Sequence, residues 1–281
     1  MSNMKFEEAH ELFNKGFEGY MIPMNLNIDQ FVDRFGTDGL SAELSVVAFH
    51  DNSPIGFVLQ GIKEEGGLTI SWNGGTGIIP EYRGKQIGFQ LIMEAEKLLL
   101  EKEVDIATLE ALTENIPAIR LYEKSGYHIA DQLLFLSGPG PLVEKLPELD
   151  NYELERIPAF QTIGTNIFPS LVPWQTAASN VSKVGGEVVV LKKDGAIKGA
   201  CLLRKRGVYG EKPTGITLFQ LAPYECIEEV VLLLAHALEF DMDLTRSTYN
   251  FSEGNGEIVG ALLCSGFEET QISQVFMTKK L

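Results

Sequence analysis

Residues 78 to 92 read IIPEYRGKQIGFQLI: an apolar strand end, a proline, then Arg83-Gly84-Lys85-Gln86-Ile87-Gly88 running straight into an amphipathic stretch. Arg83 and Lys85 are basic, and Gly84 and Gly88 leave two backbone positions without a Cβ. A strand, a glycine-containing turn and a helix start together make an anion site. The N–H groups of the first turn have no intrahelical partner, and the helix dipole adds partial positive charge. The spacing is not that of a P-loop, which needs G-K-S/T, nor of the dinucleotide fingerprint G-x-G-x-x-G. The competing reading is a plain strand-to-helix turn whose glycines only ease chain geometry. Gln86 sits between the glycines, where a third would have strengthened the signal. If its backbone takes a positive φ, the side chain costs roughly 1–2 kcal/mol. If only close approach is required, its amide can itself donate a hydrogen bond.

The elements around this loop follow from periodicity. FEEAHELFNKGF and IDQFVDRF carry helical spacing of apolar residues. LSVVAFHDNSPIGFVLQGI reads as two strands about a polar turn, His50 to Pro54, and GLTISWNGGTGII as a further strand interrupted by glycines. IGFQLIMEAEKLLL then places Ile87, Leu91, Ala95, Leu98 and Leu99 on one helical face. DIATLEAL is another strand. The next helix is bounded by Asn115 as cap, Pro117 in its first turn and Gly126 past its end. HIADQLLFL closes this half as a strand.

The second half repeats the order. GEVVVLKKDGAIKGACLLRKR matches the earlier hairpin, with Asp194-Gly195 as its turn. GITLFQLAPYECIEEVVLLLAHAL matches strand, proline and helix, with Pro223 in the place of Pro80. GNGEIVGALLCSGF lays over ENIPAIRLYEKSGY without a gap, putting Asn255 on Asn115, Ser265-Gly266 on Ser125-Gly126 and Phe267 on Tyr127. A repeat of roughly 140 residues exceeds any solenoid unit and points to tandem domains of one fold. The proline- and glycine-rich stretch near Gly138 to Asp150 reads as the joint. The expected division is a domain over 1–138, a linker over 139–150 and a second domain over 151–281.

A net charge of -16 argues against nucleic acid, which needs a basic face. It is compatible with a cationic partner or with solubility alone. The start, MSNMKFEEAHELF, lacks a secretory pattern, and the longest apolar run, Val230 to Leu238, is too short for a membrane span. A cytoplasmic protein with no membrane partner is expected, with a homodimer left open. Cys201, Cys226 and Cys264 form no C-x-x-C pair and are expected to be small buried hydrophobes. His10, His50, His128 and His236 form no cluster, so no metal is expected.

The order of these pieces resembles the GNAT superfamily of N-acetyltransferases. Its acyl-CoA loop, Q/R-x-x-G-x-G/A, falls on Arg83 to Gly88, and GIIPEY looks like the strand and proline before that loop. Its other hallmark, N-x-x-A-x-x-L-Y-x-x-x-G-F/Y, is filled by Asn115, Ala118, Leu121, Tyr122, Gly126 and Tyr127. Gln86 is the departure. The resemblance covers residues 5 to 137 well and 152 to 281 weakly. After Pro223 come Tyr224, Glu225, Cys226, Ile227, Glu228 and Glu229, without glycine, and Leu262 replaces Tyr122. The second copy thus looks like a degenerate domain that keeps the fold and has lost the cofactor.

The resemblance implies a mixed α/β fold: two tandem GNAT-like domains, each a mostly antiparallel sheet flanked by helices. It implies acetyl-CoA held by Thr76, Gly77 and Ile78 along the pantetheine arm. Arg83, Gly84, Lys85, Gln86, Ile87, Gly88 and Phe89 would hold the pyrophosphate, with Asn115 capping its helix and touching cofactor or substrate. A primary amine would attack the thioester directly in a ternary complex. Tyr122 is then the candidate acid for the thiolate and Glu110 the candidate base, through a water or directly. The bland alternatives are a core tyrosine and a strand-end carboxylate; Trp72 and Asn73, just before the glycines, are candidates for the acceptor side, with a core role the favoured reading of Trp72. The competing class is a non-catalytic acyl-CoA-binding or scaffolding protein with a C-terminal interaction domain.

Overall fold

The computed structural model describes residues 1–207 and 212–281. The first half runs α1 (Phe6–Gly16), α2 (Ile28–Thr37), β1 (Ser41–His50), β2 (Ser53–Glu65), β3 (Leu68–Ile78), α3 (Ile87–Glu101), β4 (Ile106–Leu112), α4 (Ile116–Lys124) and β5 (His128–Pro139). The second runs β6 (Tyr152–Pro158), α5 (Ala178–Lys183), β7 (Glu187–Lys193), β8 (Ala196–Arg206), β9 (Gly215–Tyr224), α6 (Ile227–Ala237), β10 (Thr245–Thr248), β11 (Phe251–Ser252), α7 (Gly256–Cys264) and β12 (Glu268–Lys280). This is the mixed α/β class expected, with mostly antiparallel strand pairing. Among the described residues no helix is long and apolar enough to cross a membrane.

The chain forms two compact units, Met1–Ala130 with Val275–Leu281, and Asp131–Gln274. These bounds differ from 1–138, 139–150 and 151–281. The first unit takes in the last residues of the chain, a long-range pairing that no local pattern encodes. There the end of β12 lies beside β4, and the Leu281 N–H donates to the Asp105 carbonyl at 3.0 Å. Val275 and Met277 are buried in one cluster with Leu109, Tyr122 and Tyr127. The expected linker is likewise no free spacer. Leu142, Val143, Leu146 and Leu149 pack on the core of the second unit, and the Leu142 N–H donates to the Phe240 carbonyl at 2.7 Å.

In the first unit the strand order is β1-β2-β3-β4, and alternation along β2 sorts the two faces. Phe57 meets Phe13 and Phe17 from α1 and its C-terminal turn, whereas Val58 joins Leu91, Ala95 and Leu99 of α3. Helices therefore cover both faces. β3 and β4 run parallel only from Ile70↔Ile106 to Asn73↔Leu109. Beyond Asn73, β3 continues to Ile78 in register with β2 alone, with an irregularity that leaves Gly74 unmatched. The two central strands part there, and the β4-facing edge of β3 is left without a strand partner.

The second unit repeats hairpin, strand and helix. Asp194 and Gly195 turn β7 into β8 with φ of 51° and 77°, a primed hairpin turn like Asp51-Asn52 with 47° and 66°. α4 and α7 begin and end at matched residues, and the glycines after them, Gly126 and Gly266, have φ of 91° and 98°. Two points depart from the sequence expectation. Pro223 lies inside β9, with only Glu225 and Cys226 before α6, whereas Pro80 opens a 3-10 turn, Pro80–Tyr82, and a full loop before α3. Of the cysteines only Cys201 is buried; Cys226 and Cys264 are exposed.

Candidate active site

The loop before α3 adopts the strained geometry its sequence raised as one option. Gln86 is the N-cap of α3 at φ 62°, ψ 8°, in the left-handed region, and Gly84 has φ 75°. Gln86 makes no side-chain cap hydrogen bond, and the first turn of α3 holds no acidic residue. The leading N–H groups of α3 are thus left for a ligand, and the left-handed step turns them outward in the manner of an anion nest. Gly88 serves a different need. A Cβ there would lie 3.0 Å from Leu121 Cδ2 and 3.2 Å from Ile78 Cδ1, so the glycine lets α3, α4 and β3 converge.

This convergence frames a cavity of about 540 Å³. Thr76 and Ile78 of β3 form one wall, Gly84 and Gln86 to Phe89 another, and Asn115, Pro117, Ala118, Leu121, Tyr122 and Lys124 a third. Gly16, Phe17, Gly19, Tyr20 and Met21 close it from the end of α1. α1 reaches so near because Gly16 and Gly77 face each other. A Cβ on Gly16 would come within 2.7 Å of the Phe57 ring, and one on Gly77 within 2.5 Å.

Tyr122 is 7% exposed, and it lines the cavity together with Thr76. Burial pushes its pKa up to about 12, the Thr76 hydrogen bond opposing and the nearby Tyr20 phenol adding to the rise. Tyr122 is therefore a protonated donor at neutral pH. Thr76 is itself held, since Asn73 Nδ2 donates to its Oγ1 at 2.9 Å. Asn115 fulfils its expected cap, its Oδ1 accepting from the Ala118 N–H at 3.3 Å, and it lines the cavity together with Tyr20. Burial raises the pKa of Tyr20, with the Asn115 hydrogen bond opposing.

The residues singled out from sequence divide in three. Thr76, Ile78, Arg83, Gly84, Gln86, Ile87, Gly88, Phe89, Asn115 and Tyr122 line the cavity together. Arg83, however, spends its guanidinium on backbone: Nε donates to the Ile78 carbonyl at 2.9 Å, and Nη2 to those of Gly16 at 3.1 Å and Glu18 at 2.7 Å. It fastens the end of α1 to the end of β3. Gly77, Lys85 and Glu110 are not among the lining residues. Lys85 lies over the half-buried Tyr82 ring at 4.8 Å. Glu110 follows the last β3–β4 pair, where the strands part, and accepts the Trp72 indole N–H at 2.6 Å. Sequence reasoning missed Tyr20 and Lys124. Lys124 packs over Phe89 at 4.6 Å and brings a cation to the wall beside the loop; its signal was a basic residue in the last turn of the Asn115 helix.

The matching place in the second unit is chemically opposite. The first turn of α6 carries Glu228 and the buried Glu229, while Glu225 is paired with Lys198 at 2.5 Å. Its own carboxylates occupy the positive helix start. Leu262 is fully buried where the first unit has Tyr122.

Comparison with known proteins agrees with this geometry. Residues 6–127 match the acetyltransferase (GNAT) family, so this segment is a GNAT domain. A search of curated proteins by sequence finds no match. Among solved structures, the chain is similar to a tandem GNAT protein from the clavulanic acid biosynthesis pathway, at 14% identity and TM-score 0.58, over 98% of this chain and 94% of that one. A GCN5-related N-acetyltransferase from Sphaerobacter thermophilus aligns with 13% identity and TM-score 0.60, over 97% and 91% of the two chains. One from Anabaena variabilis gives 15% and 0.59, over 97% and 70%. At such identity the likeness is one of fold, and it extends along nearly the whole chain.

Proposed function

We propose that the first unit transfers an acetyl group from acetyl-CoA to a primary amine by direct attack in a ternary complex. The observation that carries this reading is the meeting of Tyr122 with the Gln86–Phe89 helix start in one cavity, at the point where β3 leaves β4. The unpaired edge of β3 suits the amide-bearing pantetheine arm, and the α3 start suits the pyrophosphate, with Lys124 adding positive charge. Family membership supports acetyl-CoA as the donor. One site per chain is expected, because Glu228 and Glu229 stand at the equivalent helix start of the second unit.

The chemistry then follows from the groups at hand. A neutral amine nitrogen bonds to the thioester carbonyl carbon, and the tetrahedral intermediate collapses with cleavage of the C–S bond. Tyr122 donates a hydrogen bond to the departing sulfur. Full proton transfer from a phenol of pKa about 12 to a thiolate of ordinary pKa near 8.5 runs uphill, so the hydroxyl stabilises the sulfur rather than titrating it. Glu110 positions Trp72; the amine enters neutral, and the proton its nitrogen sheds as the amide forms passes through water to the departing thiolate, giving CoA thiol. Incubation with acetyl-CoA and a panel of amines, with CoA thiol release as readout, tests this reading. CoA binding with no turnover on any amine would favour the non-catalytic alternative.

A further inference from the structure

β3 holds one residue more than its partner strand can match. Asn73 stands opposite Gln60 and Gly75 opposite Leu59, so Gly74 is a bulge between two adjacent residues of β2. The bulge decides which side chains enter the cavity. In an unbroken ladder Thr76 would stand opposite Phe57, on the α1 face. With Gly74 inserted it stands opposite Val58, on the face that α3 and Tyr122 cover, and Gly75 and Gly77 turn to α1 instead.

Two side chains take up backbone groups of this bulge. Arg34 of α2 donates from Nη2 to the Gly74 carbonyl at 2.7 Å and from Nε to Asp38 at 3.1 Å. Its guanidinium lies over the Phe13 and Trp72 rings, at 5.5 and 6.0 Å. Asn73 is buried; its Oδ1 accepts from the Gly75 N–H at 3.0 Å, and its Nδ2 donates to Thr76 Oγ1 at 2.9 Å.

The second unit supplies a comparison. Its β9 carries a bulge at the same place, directly after the last pair with β10. Leu218 and Gln220 face adjacent residues of β8, and Phe219 is the extra one. Phe219 fills the bulge with an aromatic ring, 6.1 Å from that of Tyr249. The helix before that hairpin, α5, reads ASNVSK and has no arginine. The bulge is thus common to both units, and the guanidinium on its carbonyl accompanies the unit that has the Tyr122 cavity.

Resting on the acetyl-transfer reading, we infer that Arg34 and Asn73 are positioning residues for it. They hold the β3 bulge, and with it the edge from Gly75 to Ile78 along which the pantetheine arm lies. Without them the end of β3, which β4 has already left, keeps β2 as its strand partner and loses order. The fraction of protein with a competent edge falls, and acetyl-CoA affinity falls with it. Bound acetyl-CoA orders the edge again, so turnover at saturation is spared.

The test compares wild type, Arg34→Met, Arg34→Lys and Asn73→Ala. It measures acetyl-CoA affinity by calorimetry, kinetics with an amine that wild type acetylates, and amide hydrogen exchange. Arg34→Met is expected to bind acetyl-CoA about tenfold more weakly, the loss of one charge-assisted hydrogen bond. KM for acetyl-CoA should rise likewise, with kcat held within about twofold. Exchange should quicken at Gly75 to Ile78 in the free protein and return to the wild-type rate with acetyl-CoA bound. Arg34→Lys keeps a cationic donor and should weaken binding only about two- to threefold. Asn73→Ala should repeat the Arg34→Met pattern, and it carries the test if Arg34→Met does not fold. Wild-type affinity and exchange in the folded variant overturn the inference. So does exchange that quickens evenly over the whole unit, the mark of a residue that only stabilises the fold. Wild type that binds no acetyl-CoA overturns the cofactor reading, and this inference with it.

Discussion

Tyr122 of α4 and Thr76 of β3 face one cavity, so a buried phenol stands against the end of the strand that leaves its neighbour. Removing only that hydroxyl, in Tyr122→Phe, keeps the ring and its packing. We expect kcat to fall about 10–100-fold, the low end for a donor to a leaving group. Acetyl-CoA affinity and melting temperature should change little. A single-turnover rate equal to wild type would show that Tyr122 only packs.

The same phenol makes the protein sensitive to alkali. Its folded pKa, about 12, lies above the unfolded value near 10. The neutral form is favoured in the fold, so this contribution is fully present below pH 10 and is lost as pH rises through 12. Burial also raises Tyr127, which acts in the same direction. Denaturant midpoints should fall across this window in wild type and fall less in Tyr122→Phe. Equal slopes would contradict the assignment.

Gln86 tests the loop. Relief of a left-handed side chain is worth roughly 1–2 kcal/mol, and the extra freedom of glycine in the unfolded chain costs about 0.5–1 kcal/mol. Gln86→Gly should therefore stabilise the unit by up to about 1.5 kcal/mol while acetyl-CoA affinity is kept or improved. A large loss of affinity would make the Gln86 side chain a ligand.

The last strand gives a prediction about long-range support. Met277 is fully buried in the cluster that holds Tyr122, and Lys279 Nζ reaches Glu96 of α3 at 2.5 Å and the Ser125 carbonyl at 2.9 Å. Met277→Ala should cost about 2–5 kcal/mol, and acetyl-CoA should partly restore the melting temperature. A variant as stable as wild type would mean the segment does not close the first unit.

These residues also mark where the sequence was readable. The Asn115 helix carried its own start, stop and chemistry, and its twin ends at a glycine with the same positive φ. The loop was legible from spacing, while the left-handed backbone of Gln86 was one of two options that its place between the glycines left open. Arg83 misled because charge alone suggests phosphate, while its partners, Gly16 and Glu18, are far away in sequence. Tyr20 stands in an aperiodic segment, where a lone tyrosine carries no spacing signal. The use of Val275–Leu281 by the first unit rests on contacts 154 and 183 residues apart in sequence, beyond any local pattern.

The central claim is that the helix start at Gln86–Phe89 is the acetyl-CoA site. Calorimetric titration of wild type and Gly88→Glu with acetyl-CoA tests it most directly. The account predicts one site per wild-type chain, and affinity weakened about tenfold or more in Gly88→Glu, where a carboxylate meets phosphate at a crowded helix start. No binding heat in wild type, two equivalent sites, or undiminished affinity in the variant would contradict it.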